Sequence, residues 1–176
     1  MNTKDMIING ENAKGGFLTM GTKRVGLARI EKLIEGLKRE LDLGAGARLV
    51  GMKKRVTNIT AAKTLTEGDS GTVFTIDADS GAYDITLPAN ALAGWYCTFI
   101  LTDAHGSNDI DIVAATADTM QGVHVDASPT AITLADKITF VGGTAVVGDR
   151  VEVVSDGTTW QCITHSGANG GITSSG

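Results

Sequence analysis

The sequence predicts a mainly β protein: an antiparallel β-sandwich or barrel-like domain, preceded by an extended N-terminal arm and one amphipathic α-helix. Three observations carry this expectation. Short Thr/Val/Ile-rich runs recur every 8–12 residues between Val73 and Ile163, divided by Gly, Asp and Ser. Aromatic residues make up only 5% of the chain while Gly is abundant at 23 residues, which favours thin β layers with tight turns. The charge also changes sign along the chain. Residues 1–60 carry 12 Lys/Arg against 6 Asp/Glu, and residues 61–176 carry 3 against 14. Such asymmetry suggests two surfaces with two partners.

Residues 1–20 show no steady period and are punctuated by Gly10, Gly15 and Gly16, as in an arm that becomes ordered against a partner. Thr22 is placed to cap the helix that follows, Lys23–Leu43. Leu27, Ile30, Leu33, Ile34, Leu37 and Leu41 line one side of it. Steps of 3, 4, 3 and 4 from Leu27 through Ile30, Ile34 and Leu37 to Leu41 are those of a coiled-coil seam. The mixture of Leu and Ile along it does not select a dimer over a trimer. Gly26 and Gly36 each weaken the helix by about 1 kcal/mol relative to Ala, so it needs a partner. That partner is either a second copy in a coiled coil or the surface of a protein, its own β domain included.

Gly44-Ala45-Gly46-Ala47 ends the helix. The domain boundaries expected are therefore a basic arm and helix over 1–52, an acidic β domain over 53–165, and a flexible Gly/Ser tail over 166–176. The β pattern begins at Val56–Ile59. Further strands are expected at Val73–Asp77, Tyr83–Leu87, Tyr96–Leu101, Ile110–Val113, Gly122–Val125, Ala131–Leu134, Ile138–Val141, Arg150–Val154 and Thr159–Ile163. Asp69-Ser70-Gly71, Asp79-Ser80-Gly81 and Asp156-Gly157 supply turn residues that tolerate positive φ.

Few patterns in the chain carry chemistry. Gly44-Ala45-Gly46-Ala47-Arg48-Leu49 lacks the third Gly of a dinucleotide fingerprint and follows a helix, so it reads as a hinge. Asp77-Ala78-Asp79-Ser80-Gly81-Ala82 opens like a Ca²⁺ loop but lacks the third oxygen ligand, the turning Gly and the terminal Glu; a turn between strands fits better. Asp109 and Asp111 share one strand face, where a solvated polar surface explains them as well as acid–base work. His105, His124 and His165 lack zinc-ligand spacing, and no serine sits in a Gly-x-Ser-x-Gly elbow. Trp95, Tyr96 and Trp160 are expected to anchor the core or a subunit contact rather than a sugar platform. Cys97 and Cys162 lie in apolar strand patterns and read as buried free thiols. No catalytic residue, cofactor or metal is expected.

The acidic β segment argues against nucleic acid as its ligand, because phosphates would be repelled. Met1–Met20 lacks the apolar core of a secretory signal, and no run reaches the about 18 apolar residues of a membrane span. Synthesis in a cytosol is the expectation.

The run Lys63-Thr64-Leu65-Thr66-Glu67-Gly68-Asp69-Ser70-Gly71-Thr72-Val73-Phe74-Thr75-Ile76-Asp77 leads to Ile85-Thr86-Leu87-Pro88 and Tyr96-Cys97-Thr98-Phe99-Ile100. It closes with Gly148-Asp149-Arg150-Val151-Glu152-Val153-Val154-Ser155-Asp156-Gly157-Thr158-Thr159-Trp160. This order resembles a β module of tailed-bacteriophage virion structural proteins, found in head decoration proteins, head fibres and tail fibres. The resemblance spans roughly residues 23–165, and its motifs are structural rather than chemical.

What it implies is a non-enzymatic capsid decoration (cement) protein on the virion exterior, made in the cytoplasm of a bacterial host. The arm and helix would bind the major capsid protein or neighbouring subunits. Leu27, Ile30, Leu33, Ile34, Leu37 and Leu41 would supply apolar burial, and Lys23, Arg24, Arg29, Lys53, Lys54 and Arg55 would meet acidic capsid surface. The resemblance also implies a homo-oligomer, a trimer matching threefold capsid positions. The alternative is a head-fibre or tail-fibre subunit binding host-surface glycan, and a second is a hydrolase of cell-surface polymer.

Overall fold

The chain divides into two units, Met1–Met52 and Lys53–Gly176. The computed structural model describes residue 32 and residues 53–77, 81–89, 93–103, 106–115 and 118–176. In the first unit Lys32 alone is described, exposed and in α-helical conformation. The expected arm, the stripe of Leu27, Ile30, Leu33, Ile34, Leu37 and Leu41, and the basic Lys23, Arg24 and Arg29 lie outside the described residues.

The second unit is mainly β. In chain order its strands are β1 (Val56–Ile59), β2 (Lys63–Thr64), β3 (Val73–Ile76), β4 (Tyr83–Thr86), β5 (Tyr96–Leu101) and β6 (Ile110–Val113). They continue as β7 (Met120–Val125), β8 (Thr130–Ala135), β9 (Lys137–Phe140), β10 (Arg150–Ser155), β11 (Trp160–His165) and β12 (Ile172–Ser175). A seven-stranded sheet has the order β1-β3-β5-β10-β11-β7-β8, and a five-stranded sheet the order β12-β9-β6-β4-β2.

Both sheets are mixed, which corrects the antiparallel expectation. β1, β3 and β5 run parallel in one sheet, β2, β4 and β6 run parallel in the other, and β11 lies parallel to β7. The physical reason lies in where the turns lead. From β1 to β6 each strand is followed by one in the opposite sheet, so the chain returns to a given sheet travelling in its former direction. The 8–12-residue spacing is the same for such a winding as for hairpins. Antiparallel pairing enters at two seams, β5–β10 and β6–β9, which join the wound half β1–β6 to the half β7–β12.

Strand alternation sends one set of side chains inward. Phe74 and Ile76, Cys97, Phe99 and Leu101, and Val151 and Val153 do so from the larger sheet; Ile85, Ile110, Ile112, Ile138 and Phe140 do so from the smaller. All belong to one buried cluster. Each large side chain so buried contributes about 1.5–3 kcal/mol relative to exposure. Phe74 stacks on its register partner Phe99, with ring centroids 5.5 Å apart.

A second correction concerns residues 166–176, expected to be a flexible tail. They include β12, which pairs antiparallel with β9 and buries Ile172. Gly/Ser composition here serves close approach instead of freedom: a Cβ on Gly171 would crowd Ser166 and Asp149.

Candidate functional site

Of the basic residues expected to meet a partner, Lys53, Lys54 and Arg55 are all exposed. Arg55 is engaged within the body. Its guanidinium donates to Thr72 Oγ1 at 2.7 Å, to the Gly68 carbonyl at 2.9 Å and to Asp69 Oδ1 at 3.0 Å. Burial works against the Asp69 charge, yet hydrogen bonds from Thr66, with Lys63 and Arg55 nearby, hold its carboxyl below the usual range.

The acidic residues singled out from the sequence fasten strands and loops. Asp109 accepts the Gly142 N–H at 2.7 Å, while Asp111 accepts Lys137 Nζ and Thr139 Oγ1, both at 2.6 Å. The two carboxylates therefore do not form one acid–base pair. The hydrogen bond to Asp111 raises the Lys137 ammonium above its ordinary value. Asp149, almost fully buried, accepts the N–H groups of Val146 and Gly167 and the Ser166 hydroxyl. Asp156 closes the β10–β11 turn by accepting the Thr159 hydroxyl and N–H, the Gln161 amide and the Thr158 N–H, which push its carboxyl well down. Gly157 takes φ 94° in that turn. Among the described residues no group of three or more His, Cys, Asp or Glu is placed to hold a metal ion.

Trp95 and Trp160 are buried edge to face, 5.3 Å apart, in the core and not on a sugar platform. Cys97 and Cys162 are buried and free. Both pair with Val153, from opposite sides of β10. They stand two strand spacings apart, about 9–10 Å, beyond disulfide reach. Burial pushes the Cys162 thiol up to about 12 and Cys97 well above its ordinary value. Tyr83, raised to about 12 by burial and then by Asp77, sends its hydroxyl from the smaller sheet to the Asp77 carbonyl at 2.7 Å and lies 2.9 Å from the Ile59 carbonyl.

His124 has a defined role that its sequence context did not reveal. Its ring is buried between Thr164 Oγ1, 2.9 Å from Nδ1, and Ser174 Oγ, 3.0 Å from Nε2. It thereby ties β7 and β11 to β12. Burial lowers its pKa, with Asp126 pulling the other way.

An open concave feature lies on the outer face of the larger sheet. A groove of about 590 Å³ runs from Lys54 and Tyr96 across Glu152, Val154, Gln161 and Ile163 to Gly122. Register places Tyr96 beside Val154, and Glu152 between Thr98 and Ile163. Gly122 sits at the β7 bulge, where a Cβ would collide with the Cys162 carbonyl, so this part of the floor carries no side chain. Sequence reading grouped Tyr96 with the two tryptophans. The signal separating them is alternation: Trp95 and Cys97 point inward and Tyr96 between them points out. The chain matches no known protein-family model, and comparison with curated proteins finds no match.

Proposed function

We propose that this protein is a non-enzymatic structural component of a tailed-phage virion, a capsid decoration protein. The N-terminal unit attaches to the major capsid protein and the sandwich-like β body is displayed on the capsid exterior. The observation that carries the reading is the opposite net charge of the two units. Met1–Met52 holds 9 Lys/Arg against 6 Asp/Glu, a net of +3; Lys53–Gly176 holds 6 against 14, a net of −8. A basic segment suits an acidic particle surface, and an acidic body keeps displayed copies soluble and apart. Loops fastened by Asp109, Asp126, Asp149 and Asp156 support a body built to persist in the open.

In this reading the helix Lys23–Leu43 buries Leu27, Ile30, Leu33, Ile34, Leu37 and Leu41 against capsid or sister subunits, at about 25 cal/mol per Å². Assembly as a homotrimer multiplies these contacts at a threefold position. The test is to mix purified protein with particles lacking it, then to image them by cryo-electron microscopy and compare their heat resistance. Density at regular capsid positions with improved resistance is expected. Density at the tail or one vertex only, or none, overturns the decoration role.

A further inference from the structure

We propose that the groove on the outer face of the seven-stranded sheet is a carbohydrate site, in which a neutral pyranose ring stacks on Tyr96 and its hydroxyls bond to Glu152, Gln161 and Lys54. The site stands on the groove alone and holds whether or not the chain sits on a particle.

A sheet face turned to water is ordinarily polar. Here Tyr96, Val154 and Ile163 are 48%, 41% and 45% exposed and cluster on adjacent strands. Single exposed apolar residues are unremarkable, whereas a contiguous patch rimmed by polar groups marks an interaction site. The groove volume of about 590 Å³ falls within the range of ligand sites.

Its polar rim decides the chemical class. Glu152 meets Arg150 Nε at only 3.6 Å, so its carboxylate keeps acceptor capacity for hydroxyls. Gln161 has its amide nitrogen held by Asp156 at 2.8 Å and Thr159 at 2.9 Å, which fixes the amide and leaves its carbonyl oxygen as an oriented acceptor. Lys54 adds a donor. A sugar offers an apolar C–H face for the tyrosine ring and hydroxyls that both donate and accept. A lipid chain would leave Glu152 and Lys54 desolvated without partners. A peptide adding itself as a strand needs a sheet edge, and β5, β10, β11 and β7 are each flanked on both sides. The body's net −8 and Glu152 itself select against anionic sugars. Because the groove is carried on paired strands, little ordering opposes binding.

The full chain would be applied to an array of neutral hexose and N-acetylhexosamine oligosaccharides, with sialylated members as anionic controls. Hits would be followed by saturation-transfer NMR. Binding of a neutral class is expected, with saturation on ring C–H protons. Tyr96→Ala should weaken it at least tenfold, Tyr96→Phe should retain it, and Glu152→Gln should weaken it with an unchanged melting temperature. The proposal is overturned if no neutral glycan binds, if only sialylated members do, or if Tyr96→Ala and Glu152→Gln both leave binding intact. It is equally overturned if Tyr96→Ala instead dissociates an oligomer in sedimentation, because the face then belongs to a second copy.

Discussion

Asp149 is 2% exposed, yet it accepts three hydrogen bonds that join the loop before β10 to the segment before β12. Removing it takes away three part-buried, charge-assisted hydrogen bonds at once and leaves a small void in its place. Asp149→Ala should therefore lower stability by about 3 kcal/mol in urea unfolding, and Asp149→Asn by less. His124 sets a pH response. Its folded pKa lies below the ordinary 6.5, so on acidification the unfolded chain takes up the proton first. The stabilisation is complete above 6.5 and is lost as pH falls through the folded value. The melting temperature should thus decline from neutral to mildly acidic pH, and His124→Gln should flatten that limb. At the alkaline end the raised Cys162 and Tyr83 act in the opposite direction, with stability lost as pH climbs from their ordinary 9.0 and 10.0 towards about 12. Residue burial was partly legible in the sequence: both cysteines and both tryptophans occupy apolar alternating runs. The role of His124 was not, because Thr164 and Ser174 are 40 and 50 residues away along the chain.

At the scale of elements, alternation revealed most strands, since a half-buried strand writes its inward face into every second residue. Tyr96–Leu101 and Ile110–Val113 have the bounds expected. Pairing was not legible. A turn that crosses between sheets and a turn that closes a hairpin use the same Gly and Asp residues, so direction is decided by the core as a whole. β2 is two residues long, too short for a period, and β12 is hidden in a Gly/Ser-rich segment whose composition imitates a linker. That segment yields a direct test. Deleting residues 166–176 removes the burial of Ile172, the β9 ladder partner and two of the groups bonded to Asp149. A loss of at least about 3 kcal/mol is expected, read as a lowered thermal midpoint. A silent deletion would show that β12 contributes nothing to the body.

For the whole molecule, the chain divides into Met1–Met52 and Lys53–Gly176. The groove at Tyr96 did not emerge from the sequence, because its residues come from β5, β10 and β11 and from Lys54, and only the sheet order brings them together. Residues 53–176 alone should melt cooperatively by circular dichroism and keep glycan binding while losing attachment to particles. Normal attachment by that fragment would refute the role given to the N-terminal unit. The winding of β1–β6 has a further consequence, in the order in which the chain is born. A ribosome releases three parallel coils whose later strand partners, among the described residues, are β10 and β9, across two seams. Until residues 137–155 are translated, those coils wait with β5 and β6 as raw edges in both sheets. A chaperone, or a neighbouring nascent copy on the same messenger, would meet the protein first at those edges.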